Sequence, residues 1–353
     1  MRGLLVLLVV FAACDRGQQP PDPGAGSGSA KPHVAKYEGD DDSCDPNVPR
    51  VCMGNDVVEC GADGHLGRRV RACHHGCTDG KCEQTCEDDN TKLIYLVSTS
   101  NDFLSFDPRK LPKDPFHRIG TLKCPHEGFG SPFSMSVDRN GIAWVLYGDG
   151  RLFKVHINDA KCEATGYSPF ASGSLTFGMG FSTDKPGSDS EKLFIAANES
   201  SQDLSNIDTT KDLTPKHVGR ITATEEQNPE LTGTSEARLF GFFPSFINPS
   251  FIQEINRDNG SPIGKKMFLG NEALGDVTAY AFAQWGGVFY VFATVSDELT
   301  GEQNSTVRTV DRTSGKYQKI MTHVGYRISG AGVSTCAPER DASQAQQQPQ
   351  QGP

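Results

Sequence analysis

Residues Ser131 to Tyr167 read SPFSMSVDRNGIAWVLYGDGRLFKVHINDAKCEATGY, and no other stretch narrows the possible folds as far. FSMSV alternates large and small residues, IAWVLY is an apolar run, and RLFKVHI alternates again. Between them stand DRNG, GDG and NDAK, which carry the Asp, Asn and Gly that tight turns use. Polar CEATGYS leaves the unit as an outer strand. The pattern predicts four short antiparallel strands in about forty residues, with turns at each junction.

The chain after Cys86 looks like looser copies of this unit. KLIYLVS, DFLSFD and FHRIGTLKC match its second, third and fourth strands, so this copy lacks an innermost strand. The third unit is LTFGMGFS, KLFIAANE, NIDTT and KHVGRI. The fourth is EARLFGFF, PSFINP, SFIQEIN and GKKMFLG, and the fifth VTAYAFAQW, VFYVFATV, STVRTVD and KYQKIMTHV. RISGAGVST is left over at the end. Units of this size repeat in β-propellers. Exposed sheet edges invite aggregation, so the leftover strand is expected to complete the first unit. The predicted fold is all-β: a five-bladed β-propeller closed by pairing of both chain ends, spanning 87–338. Innermost strands are expected to begin near Phe133, Leu175, Glu236, Val277 and Arg327. No segment after Leu93 has a helical period, and a β-sandwich is the main competing architecture.

Of the eleven cysteines, six fall within thirty-nine residues: Cys44, Cys52, Cys60, Cys73, Cys77 and Cys82. A unit this short needs covalent staples, so 44–86 reads as a small disulfide-rich module whose pairing the sequence leaves open. His74 and His75 raise zinc as an alternative, set aside because exported cysteines are consumed in bridges. Cys86 precedes the second strand of the first blade and Cys336 follows its innermost strand, so a Cys86–Cys336 bridge is expected. Cys124 and Cys162 then pair by elimination, although the strand scheme sets them toward opposite faces of the ring.

Arg2 precedes the apolar run Leu4–Ala13, which is ten residues long, whereas a membrane span needs about twenty. It reads as a signal peptide covering 1–13. The sequence Phe11-Ala12-Ala13-Cys14 resembles the lipobox of bacterial lipoproteins. That resemblance implies a diacylglyceryl group on Cys14 and attachment to a membrane through the N-terminal lipid. Residues 14–43, rich in Pro, Gly and Ser and including EGDDD, read as a disordered tether. A Gln-rich disordered tail is expected over 339–353. The Cys-rich module followed by a propeller resembles uncharacterised bacterial surface lipoproteins, which implies an address and no activity.

No catalytic motif emerges: there is neither a G-x-S-x-G elbow nor an H-E-x-x-H helix. Asp138, Asp258 and Asp311 sit in DRNG, RDNG and DRTSG, where a turn role outweighs a hydrolase carboxylate role. FGMGF reads as an inner strand rather than a phosphate loop. Phe133, Phe153, Phe181, Phe194, Phe282 and Phe289 are read as core, and LFGFFPSFINPSF chiefly as core. The net charge of −10 excludes a nucleic-acid face. No metal or cofactor is implied. The function expected is a non-catalytic binding or scaffold module in the bacterial cell envelope, lipid-anchored and extracytoplasmic, taking an unidentified protein or glycan ligand. The alternative is a propeller hydrolase or lyase acting on glycans or small molecules at the central funnel. The reading leans against an enzyme without deciding. Candidate ligand-face residues, on the loops joining second to third strands and blade to blade, are His126, Glu127, Asn198, Glu199, Asp297 and Glu298.

Overall fold

The computed structural model describes residues 42–72, 77–78, 80–82, 86, 89–125, 130–197, 202–224, 229–271, 273–275, 277–296 and 301–340. The signal peptide, Cys14, nearly all of the tether, Cys73 and all but the first two residues of the Gln-rich tail lie outside them. Among the described residues there is no α-helix; two short 3-10 turns apart, the regular structure is all β.

Strands β1 (Arg50–Met53), β2 (Asp56–Cys60) and β3 (Leu66–Ala72) form a small sheet, and β4 (Cys77–Thr78) pairs with β5 (Lys81–Cys82). Few side chains are buried here, Val57 and Val58 among them. The bridges Cys44–Cys60 and Cys52–Cys77 supply what that core cannot.

Five four-stranded antiparallel sheets follow. Sheet I contains β6 (Ile94–Ser98), β7 (Asp102–Phe106) and β8 (Phe116–Thr121). Sheet II is β9 (Pro132–Val137), β10 (Ile142–Tyr147), β11 (Leu152–His156) and β12 (Cys162–Ala164). Sheet III is β13 (Phe177–Thr183), β14 (Glu191–Ala197), β15 (Asp203–Ile207) and β16 (Lys216–Arg220). Sheet IV is β17 (Glu230–Gly233), β18 (Leu239–Phe243), β19 (Phe251–Ile255) and β20 (Pro262–Phe268). Sheet V is β21 (Val277–Trp285), β22 (Val288–Ser296), β23 (Gln303–Asp311) and β24 (Tyr317–Met321). The last strand, β25 (Ile328–Val333), pairs antiparallel with β6, with Ala331 opposite Leu96, and is the innermost strand of sheet I.

The innermost strands neighbour one another in a cycle, β25–β9–β13–β17–β21 and back to β25. The fold is a β-propeller. An apolar cluster fills each seam. Phe106, Phe292 and Tyr290 meet between sheets V and I, and Trp144 meets Phe181 between II and III. Phe240, Phe282 and Phe289 pack between IV and V. A fully buried Phe contributes about 1.5–3 kcal/mol, so the seams carry much of the stability.

Sheet IV corrects the sequence reading. Its innermost strand is ELTG at Glu230, not the segment near Glu236. LFGFF is the second strand, and PSFINP is no strand. The most hydrophobic run in the unit is the second strand, and the inner strand is the short, small-residue ELTG. The inner strands come so close that a Cβ on Gly178 would lie 2.1 Å from the Pro229 carbonyl oxygen. Five of the six Phe side chains read as core are buried, and Phe133 is partly so.

The turns follow local chemistry. Asp138 Oδ1 accepts from Asn140 N (2.8 Å) and Ile142 N (3.0 Å), while Oδ2 accepts from Trp144 Nε1 (3.1 Å). Asp311 Oδ1 accepts from the backbone of Thr313 and Ser314. In RDNG the same work falls to Asn256, whose Oδ1 accepts from Asp258 N.

Candidate functional site

Antiparallel order gives the ring two distinct faces. One carries the first-to-second and third-to-fourth strand turns. The other carries the second-to-third turns and the sheet-to-sheet connections. All six candidate ligand-face residues, His126, Glu127, Asn198, Glu199, Asp297 and Glu298, lie outside the described residues. What the structure does describe is the axis and the first of these faces.

On the axis stands Glu230, the first residue of β17, which is 3% exposed. Ser134 Oγ, from β9 two sheets away, donates to Glu230 Oε2 at 2.8 Å. Burial drives the Glu230 carboxyl well above its ordinary range, against the hydrogen bonds from Ser134 and the Met179 backbone, which favour the charged form. Tyr280, on β21, is raised by burial and then by the nearness of Glu230. One residue thus connects inner strands of sheets II, III and IV and lies close to sheet V. Its companions are a hydroxyl, a backbone N–H and a phenol. The buried carboxyl is thus held by hydrogen bonds from two neighbouring inner strands.

The opposite end of the axis is crossed by the segment 334–340, which reaches every sheet. Ser334 Oγ donates to Thr91 O, and Cys336 is bonded to Cys86, both just before sheet I. Thr335 Oγ1 donates to Glu191 Oε2 on β14 (2.6 Å) and accepts from Arg139 Nη1, in the turn after β9 (3.4 Å). Glu339 Oε1 accepts from Ser235 N (2.8 Å) beyond β17, and its Oε2 pairs with Arg312 Nη1 (2.8 Å) beyond β23. Gly286 N, in the β21–β22 turn, donates to Pro338 O.

Beneath this strap lies a cluster of charges. Glu191 Oε1 accepts from Arg139 N at 2.7 Å. Burial, then the neighbouring Asp138 charge, raises the Glu191 carboxyl to about 7, against the bonds from Thr335 and Arg139. Arg139 is 7% exposed; its Nη1 donates to Ser188 O and its Nη2 faces Asp189. Asp189 also pairs with Arg50 of the small module at 3.4 Å. The module therefore touches the strap side of the ring.

Cys86–Cys336 and Cys124–Cys162 are both disulfides, with Cα separations of 4.7 and 4.9 Å. The second removes the conflict with the strand scheme. Adjacent strands rotate by roughly 20–25° each, so an outermost strand lies across the ring rather than along its axis. The end of β8 consequently reaches the start of β12 in the next sheet.

Sequence reasoning passed over Glu230, Glu191, Arg139 and Glu339. Placing the inner strand near Glu236 hid Glu230, although a carboxylate opening an otherwise uncharged segment, PELTGT, was a usable signal. The other three sit in or beside turns, and their convergence depends on the ring. Among the described residues no group of His, Cys, Asp and Glu is arranged to hold a metal, and no helix is long and apolar enough to cross a membrane.

No family model matches the chain, and no curated protein does either. Solved structures do. An endo-arabinase from Bacteroides thetaiotaomicron VPI-5482 is 12% identical with a TM-score of 0.40, the match covering 58% of this chain and 85% of that one. A thermostable family-43 glycoside hydrolase is 9% identical at a TM-score of 0.39, over 56% and 75%. A protein of unknown function from Bacteroides caccae is 11% identical at 0.38, over 80% and 97%. No residue role is carried over from any of them.

Proposed function

We infer that the chain is a membrane-tethered extracytoplasmic lipoprotein whose five sheets are the blades of one closed ring, serving as a non-catalytic binding or scaffold module. Cys14 carries the lipid, 14–43 is the tether, 44–86 the stapled module and 87–338 the propeller. The observation that carries the non-catalytic reading is the blocked axis. Glu230 is buried and hydrogen-bonded across it, and the 334–340 strap crosses its far end. The module touches the strap side, and opposite it lies the face of the second-to-third turns and the sheet-to-sheet connections. That face, with His126, Glu127, Asn198, Glu199, Asp297 and Glu298, is the ligand surface, and its ligand is a protein or glycan.

Two measurements test this. Alkyne-palmitate labelling in a bacterial host is expected to mark the wild-type chain and to miss Cys14→Ser. Screening that Cys14→Ser chain on glycan and peptide arrays is expected to return binding that Glu199→Ala or Asp297→Ala weakens, without turnover. Hydrolysis or elimination products from any arrayed glycan would replace this reading with the funnel-enzyme alternative.

A further inference from the structure

We propose that the Cys86–Cys336 bond is a thiol-exchange site with a built-in direction, open to a dithiol reductant and attacked at Cys336. Three observations carry the proposal, none of them concerned with lipidation or ligand.

The two sulfurs have unlike surroundings. Arg139 Nη2 donates toward Cys86 Sγ at 3.3 Å, whereas Cys336 Sγ lies 4.0 Å from the carbonyl oxygen of Arg139. A guanidinium beside a sulfur stabilises its thiolate, and a carbonyl oxygen does the reverse. Exchange is faster when the departing thiol has the lower pKa, so Cys86 is the leaving group and Cys336 the sulfur attacked. Arg139 shares its charge with Asp189 at 3.4 Å, and Glu191 accepts from its backbone. Among the described residues its Nε has no hydrogen-bond partner.

Both cysteines are partly exposed, unlike the buried strands they join. Cys86 also has φ of +42°, a left-handed conformation that a residue with a Cβ adopts at a cost.

The step balances without further reagents. A thiolate of the dithiol attacks Cys336 Sγ, forming a mixed disulfide, and Cys86 departs as a thiolate beside Arg139. The second thiol of the reductant, deprotonated, then attacks its own sulfur in the mixed disulfide and releases Cys336, which takes up a proton. Two electrons pass from the dithiol, which becomes a cyclic disulfide and releases its second proton to solvent, to the protein, which gains a thiol at Cys336 and a thiolate at Cys86. The covalent link between the strap and the segment ahead of sheet I is then open.

The test uses the full chain with all its disulfides formed. It is treated briefly with a mass-tagged monothiol, which cannot complete the second attack, then quenched in acid and mapped by mass spectrometry. The expected result is a tag on Cys336 in at least tenfold excess over Cys86. Equal tagging, or a tag chiefly on Cys86, overturns the proposal on wild-type protein alone. Arg139→Lys keeps a cation and is expected to retain the preference, while Arg139→Gln brings the two sites to parity. Should Arg139→Gln fail to fold, Asp189→Asn removes the competing anion and is expected to raise the rate of tagging at Cys336. An unchanged or lower rate counts against the role given to Arg139.

Discussion

Thr335 Oγ1 donates to Glu191 Oε2 across 2.6 Å, tying a residue beyond the last strand to the first residue of β14. The contact makes Glu191 the reporter of how the strap is seated. Its carboxyl is raised to about 7, so the folded protein holds this proton more tightly than the unfolded chain does. The stability contributed by that proton is fully present below the unfolded value near 4.5 and is lost as pH rises to about 7. The shift corresponds to about 3 kcal/mol as an upper figure. Glu191→Gln is expected to remove that slope. Urea titrations at pH 5 and pH 8 check it: the wild type should lose more stability than the variant between those two values.

The Glu230 carboxyl is raised by burial in the same direction. Because burial raises the Glu230 carboxyl well above its ordinary range and so favours the uncharged form, Glu230→Gln is expected to change stability by less than about 1 kcal/mol, an amide keeping an acceptor for Ser134. Glu230→Lys places an unpaired cation on the axis and should prevent folding. Ser134→Ala removes a donor from a buried oxygen and is expected to cost about 1–3 kcal/mol. Thermal unfolding of the three variants separates them.

The closeness of the inner strands is tested at Gly178. A methyl group there meets the Pro229 carbonyl at 2.1 Å, a backbone atom with no rotamer to yield. Gly178→Ala is expected to destabilise by about 1–3 kcal/mol, in the range of other overpacked interiors. Gly166, beside which a Cβ meets nothing within 4 Å, is the control. Gly166→Ala should leave the melting temperature nearly unchanged.

The Cys86–Cys336 bond spans a sequence separation of 250. Chain-entropy arguments give such a long loop about 5 kcal/mol, with measured values commonly lower, at about 2–5. The double variant Cys86→Ser/Cys336→Ser leaves no free thiol and is expected to fold with a lower denaturation midpoint. Equal midpoints for variant and wild type would show that the seam between sheets V and I closes the ring unaided.

Much of the strand content was legible because four-strand units impose a short rhythm of apolar runs and turn residues. IAWVLY and LFKVH fell in place as β10 and β11 because their burial alternates with local turn chemistry at Asp138 and Gly150. Sheet IV was misread for a physical reason. The inner strand of this sheet, ELTG, has Leu231 as its one large apolar side chain and so carries little hydrophobic signal, while its neighbour LFGFF carries a great deal. The candidate site was less legible still, since Glu230 meets Ser134 at a sequence separation of 96 and no periodicity links them.

The sequence by itself determined the repeating strands and the turns, because each depends on residues close along the chain. Tertiary structure decided which strand stands innermost in sheet IV, that Glu230 is buried against Ser134 from two sheets away, and that residues 334–340 reach all five sheets. Those outcomes depend on distances across the ring and on the loss of water at its centre, and neither is encoded in any local stretch.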